Sequence, residues 1–467
     1  MKYKHYDIPI PAEDPFAYCQ LDRKQYAEVL TKIVSNNVDS FVISVNGAWG
    51  TGKSTFMKMW EATLKADGFQ SVYFNAWEND FTSDPLVALL GEIQSTITSK
   101  QESAFNKVLE IGGRIAHNAI PTLIKVASKK FLGEDVADIA EALTKEAGNV
   151  FKEEVLEYQN KKELFSAFRE ELSRFIGSYI KKKPLIFIVD ELDRCRPDYA
   201  VEVLEHIKHF FSLKGIVFVL SIDKEQLCNA IRGHYGSDRI NAEEYLRRFI
   251  DLEYLLPEPQ LNAYCHYLYK YFDFASFLES KQRSENDQLS DDGQIFKEYA
   301  IEFAVALRLS LRQIEKLFAH MRLVLCSLGP NRYLFPRSVF TLIYIRAIDQ
   351  QLYYKITNNK LSLQELMDAL HHIYPESMLQ PTSNHPSKGI LAIAEFVYNY
   401  AKDFHPHLAV ADSIQSSNTQ EINLKFEASW LNKEYFAQAY QYYCKRYLDS
   451  NWRYVIGAID LWHKTID

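Results

Sequence analysis

Residues 41–57 read Phe41-Val-Ile-Ser-Val-Asn46-Gly47-Ala48-Trp49-Gly50-Thr51-Gly52-Lys53-Ser54-Thr55-Phe-Met57. A β-branched apolar run meets a glycine-rich turn, and the turn opens into good helix sequence. The spacing from Gly47 to Ser54 satisfies G-x-x-x-x-G-K-[S/T]. Between a buried strand and a helix, that pattern has a physical meaning. Glycines let successive backbone N–H groups turn inward around phosphate oxygens, and the helix N-terminus adds its dipole. Lys53 would then reach the β- and γ-phosphates, and the Ser54 hydroxyl would ligate Mg²⁺. Candidate nucleotide-binding residues are therefore Gly47, Ala48, Trp49, Gly50, Thr51, Gly52, Lys53, Ser54 and Thr55. The indole of Trp49 is the anomaly among the glycines. It is expected to pack on a neighbouring element, with Trp77 one candidate, or to meet a partner protomer.

A phosphate loop needs a metal-binding carboxylate at the end of another buried strand. Pro184-Leu-Ile-Phe-Ile-Val-Asp190-Glu191 supplies five apolar residues and then two acids. Asp190 is placed to hold Mg²⁺ through its shell, and Glu191 to polarise the attacking water as general base. An acid directly after the metal-binding Asp points to hydrolysis rather than transfer to a small acceptor. A third buried run, Ile216-Val-Phe-Val-Leu-Ser221-Ile-Asp223, ends in polar groups. Ser221 or Asp223 is a candidate γ-phosphate sensor, and Asp223 serves equally well as N-cap of a helix starting at Lys224.

Around these motifs the chain divides into an α/β half and a helical half. Short β-branched and aromatic runs at Phe41–Asn46, Val72–Asn75, Leu185–Val189, Ile216–Ser221 and Phe249–Leu252, most of them continuously apolar, suit parallel strands covered on both faces. Helical patterns between them imply a doubly wound sheet. More than a hundred residues separate Trp77 from Lys183, where a crossover needs about a dozen. A helical insert at about 95–180 is therefore expected, with helical pattern at 135–158 and an amphipathic face running from Phe165 to Ile180. The expected units are a core at 1–255, a helical lid at 256–330 and a C-terminal helical domain at 331–467.

A chain of 467 residues exceeds one typical domain. Its net charge of -8 offers no global field for nucleic acid, which leaves such binding possible but unsupported by charge. The six cysteines lie far apart with no C-x-x-C pair, as expected for reduced thiols in the cytoplasm. The N-terminus lacks an apolar signal segment, and no run of 18 apolar residues occurs, so no transmembrane segment is expected. No N-K-x-D segment for reading guanine is present, which favours ATP over GTP.

Four motifs in order resemble the KAP P-loop NTPases, a branch of the additional-strand, catalytic-Glu ATPases related to the AAA+ and STAND groups. They are Gly47-Ala-Trp-Gly-Thr-Gly-Lys-Ser54, Phe74-Asn-Ala-Trp77, Asp190-Glu-Leu-Asp-Arg194 and Tyr245-Leu-Arg-Arg-Phe-Ile-Asp-Leu252. The resemblance runs from about Leu21 to Phe318. It implies a sheet of order 5-1-4-3-2, with the strand of Asp190 lying beyond the sensor strand. It also implies that the segment before the first strand covers adenine, making Leu21 and Tyr26 candidates. Leu309–Phe318 resembles the sensor-2 segment, so Arg312 is expected to reach the γ-phosphate in cis. An arginine finger from a neighbouring subunit is implied as well. Arg194, Arg196, Arg247 and Arg248 compete for that role, with Arg248 the one carried forward. Arg194 lies close to Glu191, which fits a structural role too.

Two functions follow as expectations. One is a Mg²⁺-dependent ATPase that couples hydrolysis to conformational change or assembly, as a homo-oligomer or with a partner effector protein. Prokaryotic members of the family are associated with phage exclusion, so an antiviral role is implied by the resemblance. The alternative is an ATP-held scaffold with little hydrolysis that grips a partner protein through its aromatic-rich C-terminal helices.

Overall fold

A computed structural model describes residues 8–36, 39–82, 84–118, 136–180, 183–381, 385–404, 426–446 and 451–460. It divides the chain into two compact units, Ile8–Glu258 and the part that begins at Pro259.

In the first unit the alternation of side chains along each strand builds both layers of core. The strands are β1 (Phe41–Asn46), β2 (Ser71–Asn75), β3 (Leu185–Asp190), β4 (Ile216–Ile222) and β5 (Leu252–Leu255). On one face Ile43, Val45, Ile186, Ile188, Val217 and Val219 pack with α1 (Lys24–Asn36) and α2 (Lys53–Ala66), which contribute Leu30, Phe56 and Trp60. On the other, Val42, Leu185, Phe187, Val189, Phe218 and Leu220 meet a larger helical layer that includes Leu89, Phe168, Leu172 and Leu204. Successive strand residues point to opposite faces, so a strand covered on both sides is apolar along most of its length. All six positions of β3 and all seven of β4 are buried. Fully burying each such apolar side chain stabilises by about 1.5–3 kcal/mol.

The strands pair in parallel in the order β2-β3-β4-β1-β5. Read from the other edge this is 5-1-4-3-2, as the resemblance implies. Register lines up the strand ends that carry chemistry: Asn75 opposite Asp190, Asp190 opposite Ser221, and Ser221 opposite Val45.

Between β2 and β3 lie α3 (Ala76–Asn79), α4 (Pro85–Thr96), α5 (Ser99–Asn118) and α6 (Val136–Tyr179). The two helical stretches read in the insert are one helix, α6. Residues 119–135, between α5 and α6, lie outside the described residues. No helix among the described residues is long and apolar enough to cross a membrane. The remaining helices of this unit are α7 (Pro197–Phe210), α8 (Lys224–Tyr235) and α9 (Ala242–Leu246).

One strand lies elsewhere than the sequence suggested. The apolar pair Phe249-Ile250 belongs to the turn after α9 and packs against the core as partly buried side chains, while β5 runs from Leu252 to Leu255. As an edge strand β5 is mostly exposed, so it has no need of a continuous apolar run.

The second unit is helical. Helices on both sides of Pro330 pack together, with Asp292–Ala306 and Leu311–Ser327 both against Pro336–Ile348. Its core holds a polar triad in which the hydroxyls of Tyr299, Thr341 and Tyr374 lie 2.7–2.8 Å from one another. A buried Arg283–Asp292 ion pair lies in the same unit.

Candidate functional site

Three strand ends and one loop converge at the carboxyl edge of the sheet, where open α/β sheets place their ligands. The loop leaves β1 at Asn46 and is anchored at once, because Gly47 N donates to the Ile222 carbonyl at the end of β4 (3.1 Å). Gly50 and Gly52 take φ of 77° and 82°, left-handed values that cost glycine little. These turns let the loop curl over the first turn of α2, whose N-cap is Gly52. Thr51 Oγ1 closes the curl on the Ala48 carbonyl (2.8 Å). The buried Lys53 returns over the loop, its Nζ donating to the carbonyls of Gly47 and Ala48 (3.1 Å for Ala48). Burial lowers the Lys53 pKa, opposed by the charges of Asp193, Asp223 and Asp190.

Facing the loop is the turn after β3. Asp190 is buried; its Oδ1 accepts from Glu191 N (3.0 Å) and its Oδ2 from the Tyr73 hydroxyl (2.6 Å). Burial, with the Asp190 charge next, pushes the Tyr73 pKa well up and keeps that hydroxyl a donor. Glu191 has φ +60°, a left-handed backbone that costs about 1–3 kcal/mol for a non-glycine residue. Its carboxylate is held from three sides. Ser54 Oγ donates to Oε1 (3.4 Å), Asn75 Nδ2 donates to Oε2 (3.4 Å), and Arg194 makes an ion pair at 2.6 Å.

Trp49 is exposed over much of its surface, and it does not take Trp77 as its described partner. Its indole N–H donates to Asp193 Oδ2, and its backbone N–H donates to Asp223 Oδ2 (3.1 Å). The bulky residue thus ties the loop to the turn after β3 and to the start of α8. Burial raises the Asp193 pKa, and the bond from Trp49 opposes that rise. Trp77 instead lies under the Arg194 guanidinium, 5.6 Å from its ring centroid. Asp223 caps α8 through Gln226 N (3.4 Å) while receiving Trp49.

Other residues singled out in the sequence lie as follows. Ser221 is fully buried on β4, level with Asp190, and its Oγ has no hydrogen-bond partner among the described residues. Thr55 is half-buried in the first turn of α2. Leu21, just before α1, and Tyr26, in its first turn, are half-buried. Arg196 is taken up by Asp80 and Arg247 by Glu244. Arg248 is exposed three residues before Asp251, whose carboxylate accepts from Val42 N at the start of β1. That places it toward the opposite end of β1 from the loop. Arg312 is exposed in the first turn of helix Leu311–Ser327 in the second unit.

Three polar residues at the site carried no assigned role in the sequence: Tyr73, Asn75 and Asp193. Strand alternation puts Tyr73 on the face of Asn75, two residues on. Only the pairing of β2 with β3 brings both to Asp190 and Glu191. Asp193 stood within the acidic motif, but nothing in its spacing shows that a loop 144 residues earlier supplies its donor.

The donor set fits the groups the motifs imply. Two inward-curling glycines at a helix N-terminus, with a lysine across them, suit a triphosphate. A hydroxyl and carboxylates are hard oxygen donors of the kind Mg²⁺ takes alongside water and phosphate. Fold and site define a P-loop nucleotide-binding protein. A family model described as the KAP family P-loop domain matches residues 23–375, and the chain belongs to that family. It is 22% identical over 318 residues to the phage T7 exclusion protein of Escherichia coli (strain K12), an alignment covering 62% of this chain and 38% of that protein. Solved structures that the chain matches include the Aeropyrum pernix ORC2 protein in ADPNP and ADP complexes, at 16% identity and TM-score 0.27, covering 71% of this chain and 76% of that one. Another is Drosophila ORC bound to DNA, at 12% identity and TM-score 0.35, covering 82% of each chain.

Proposed function

We propose that the chain is a Mg²⁺-dependent ATPase whose cycle drives a conformational or assembly change. The observation that carries this reading is the meeting of Ser54, Asp190 and Glu191 at one strand edge, with Ser54 Oγ 3.4 Å from Glu191 Oε1. In this reading the loop amides and Lys53 hold the phosphates, and Ser54 and Asp190 hold the metal. Bound Mg²⁺ supplies charge neutralisation to the phosphates. Glu191 orients the attacking water and takes up its proton. Asn75 aims the Glu191 carboxylate, and Tyr73 fixes Asp190 by donating to one of its oxygens. Leu21 and Tyr26 cover the base.

Residues 256–330 serve as lid, with Arg312 answering the γ-phosphate, and 331–467 meet a partner protein. A neighbouring subunit's Arg248 completes the site. A role in phage exclusion is proposed from the relative's name and rests on the 62% of the chain that aligns with it.

A second reading is favoured by one contact. The 2.6 Å ion pair between Arg194 and Glu191 occupies one of the two oxygens that a base could use. A chain in which that pair persists would bind ATP as a switch and hydrolyse it little.

Steady-state phosphate release from MgATP, for native chain and Glu191→Gln across a concentration series, tests the first reading. A general base contributes typically 10²–10⁴-fold. The expected outcome is a loss of at least about a hundredfold in the variant with nucleotide still bound, and a native specific activity that rises with concentration. Binding without hydrolysis in the native chain at every concentration selects the switch.

A further inference from the structure

The N-terminal edge of the first unit contains a buried cation that the chemistry above does not use. Asp22 has φ +49°, a left-handed turn that Asp tolerates better than most residues. The residue after it, Arg23, is only 2% exposed. Its charge is answered by backbone carbonyls. Nη1 donates to Gly52 O (3.2 Å), and the other terminal nitrogen to Pro257 O (3.5 Å). Burial pulls its pKa down to about 10. Burying a charge without a carboxylate is costly, and a hydrocarbon side chain would fill the space without that cost.

The two carbonyls belong to informative places. Gly52 is the last loop residue before Lys53 and the N-cap of α2, and its carbonyl also accepts from Phe56 N (3.1 Å). Pro257 stands one residue before the end of the first unit. Just ahead of it, Leu256 N donates to the carbonyl of Asn46, the residue preceding the loop (2.8 Å). The exit of the chain is thus bonded to one end of the phosphate loop directly and to the other through Arg23. The rigid planar fork of arginine can serve two acceptors at once, which the point charge of lysine does less well. Arg23 also starts α1, its own carbonyl accepting from Tyr26 and Ala27 N–H.

We propose that Arg23 is a positioning residue that transmits the state of the phosphate loop to the chain's exit toward the second unit. The inference rests on the nucleotide-binding reading above. When the loop amides close on phosphate, the Gly52 peptide is fixed. The guanidinium is fixed with it, and Pro257 is held through the second prong. A loop without nucleotide leaves the exit looser.

Hydrogen exchange of the full chain, with and without MgATP, tests this alongside a separate fluorescent-nucleotide binding titration. The expected result is that nucleotide slows exchange at least about threefold across two segments together, Leu252–Glu258 and Lys24–Ala27. Arg23→Lys should lose the difference at Leu252–Glu258 while binding the probe within about threefold of native. A purely structural Arg23 would change exchange equally in both states and leave the difference intact. The proposal is overturned if the native chain binds the probe with no change at Leu252–Glu258, or if Arg23→Lys retains the native difference. If the variant does not fold, the native chain decides alone, since a change confined to one segment contradicts the link. Failure of the titration itself overturns nucleotide binding instead.

Discussion

Trp49 shows how one residue can be conspicuous in sequence and still be explained only by structure. An indole between glycines is a poor choice for a loop that must curl, unless it is held. Here its N–H donates to Asp193, a carboxylate whose burial disfavours the charge. A buried acceptor left without its donor costs about 1–3 kcal/mol. A double-mutant cycle of Trp49→Phe and Asp193→Ala, read by urea unfolding, is therefore expected to show a coupling of about 1–2 kcal/mol. Simple additivity would mean that the bond contributes nothing and that Trp49 is present for another reason. The same scale marks the limit of reading from sequence. Lys53, Ser54, Asp190 and Glu191 follow from motif spacing because local backbone places them. Tyr73 and Asn75 do not, because strand pairing brings them in from a distant segment, and the role of Asp193 does not, because its donor Trp49 lies 144 residues earlier.

The interior elements were legible because burial on both faces favours a long apolar run; β3 and β4 each have five such residues in succession, and β1 is broken only by Ser44. The edge strand β5 was displaced in the reading because its neighbours, Phe249 and Ile250, look more strand-like than Leu252–Leu255 does. Entry into β4 depends on a glycine for two independent reasons. Gly215 has φ +91°, and a Cβ there would lie 2.6 Å from Ile180 Cδ1 at the end of the insert. Its carbonyl also accepts from Leu185 N at the start of β3 (2.8 Å). Backbone strain and overpacking each cost about 1–3 kcal/mol, so Gly215→Ala should lower stability by at least about 1 kcal/mol in chemical denaturation. An unchanged midpoint would mean that Ile180 and the turn give way freely.

The whole chain behaves, on this account, as two folding units with separate sources of stability. A ligand that binds only the folded first unit stabilises it by about 2.7 kcal/mol at a hundred times its Kd. The second unit depends instead on a helical core and the buried Arg283–Asp292 pair, and removing one partner of such a pair costs about 3–5 kcal/mol. Calorimetry should resolve two transitions, one raised by MgATP and the other lowered by Arg283→Met. A single transition moved by both would mean that the units unfold as one. The division at Pro259 coincides with Pro257 and Pro259 in the sequence. The packing of helices across Pro330 had no comparable signal, because nothing in an amphipathic helix states which neighbour it will meet.

The central claim is that the loop from Gly47 to Ser54 holds a nucleoside triphosphate through its amides and Lys53. Equilibrium binding of ATP with Mg²⁺, native chain against Lys53→Ala, tests it most directly. Hydrogen bonds to a charged group contribute about 1.5–3 kcal/mol, so the variant should bind at least about tenfold more weakly than the native chain while keeping its fold. Equal affinity in the two proteins, or no binding in either, would contradict the account.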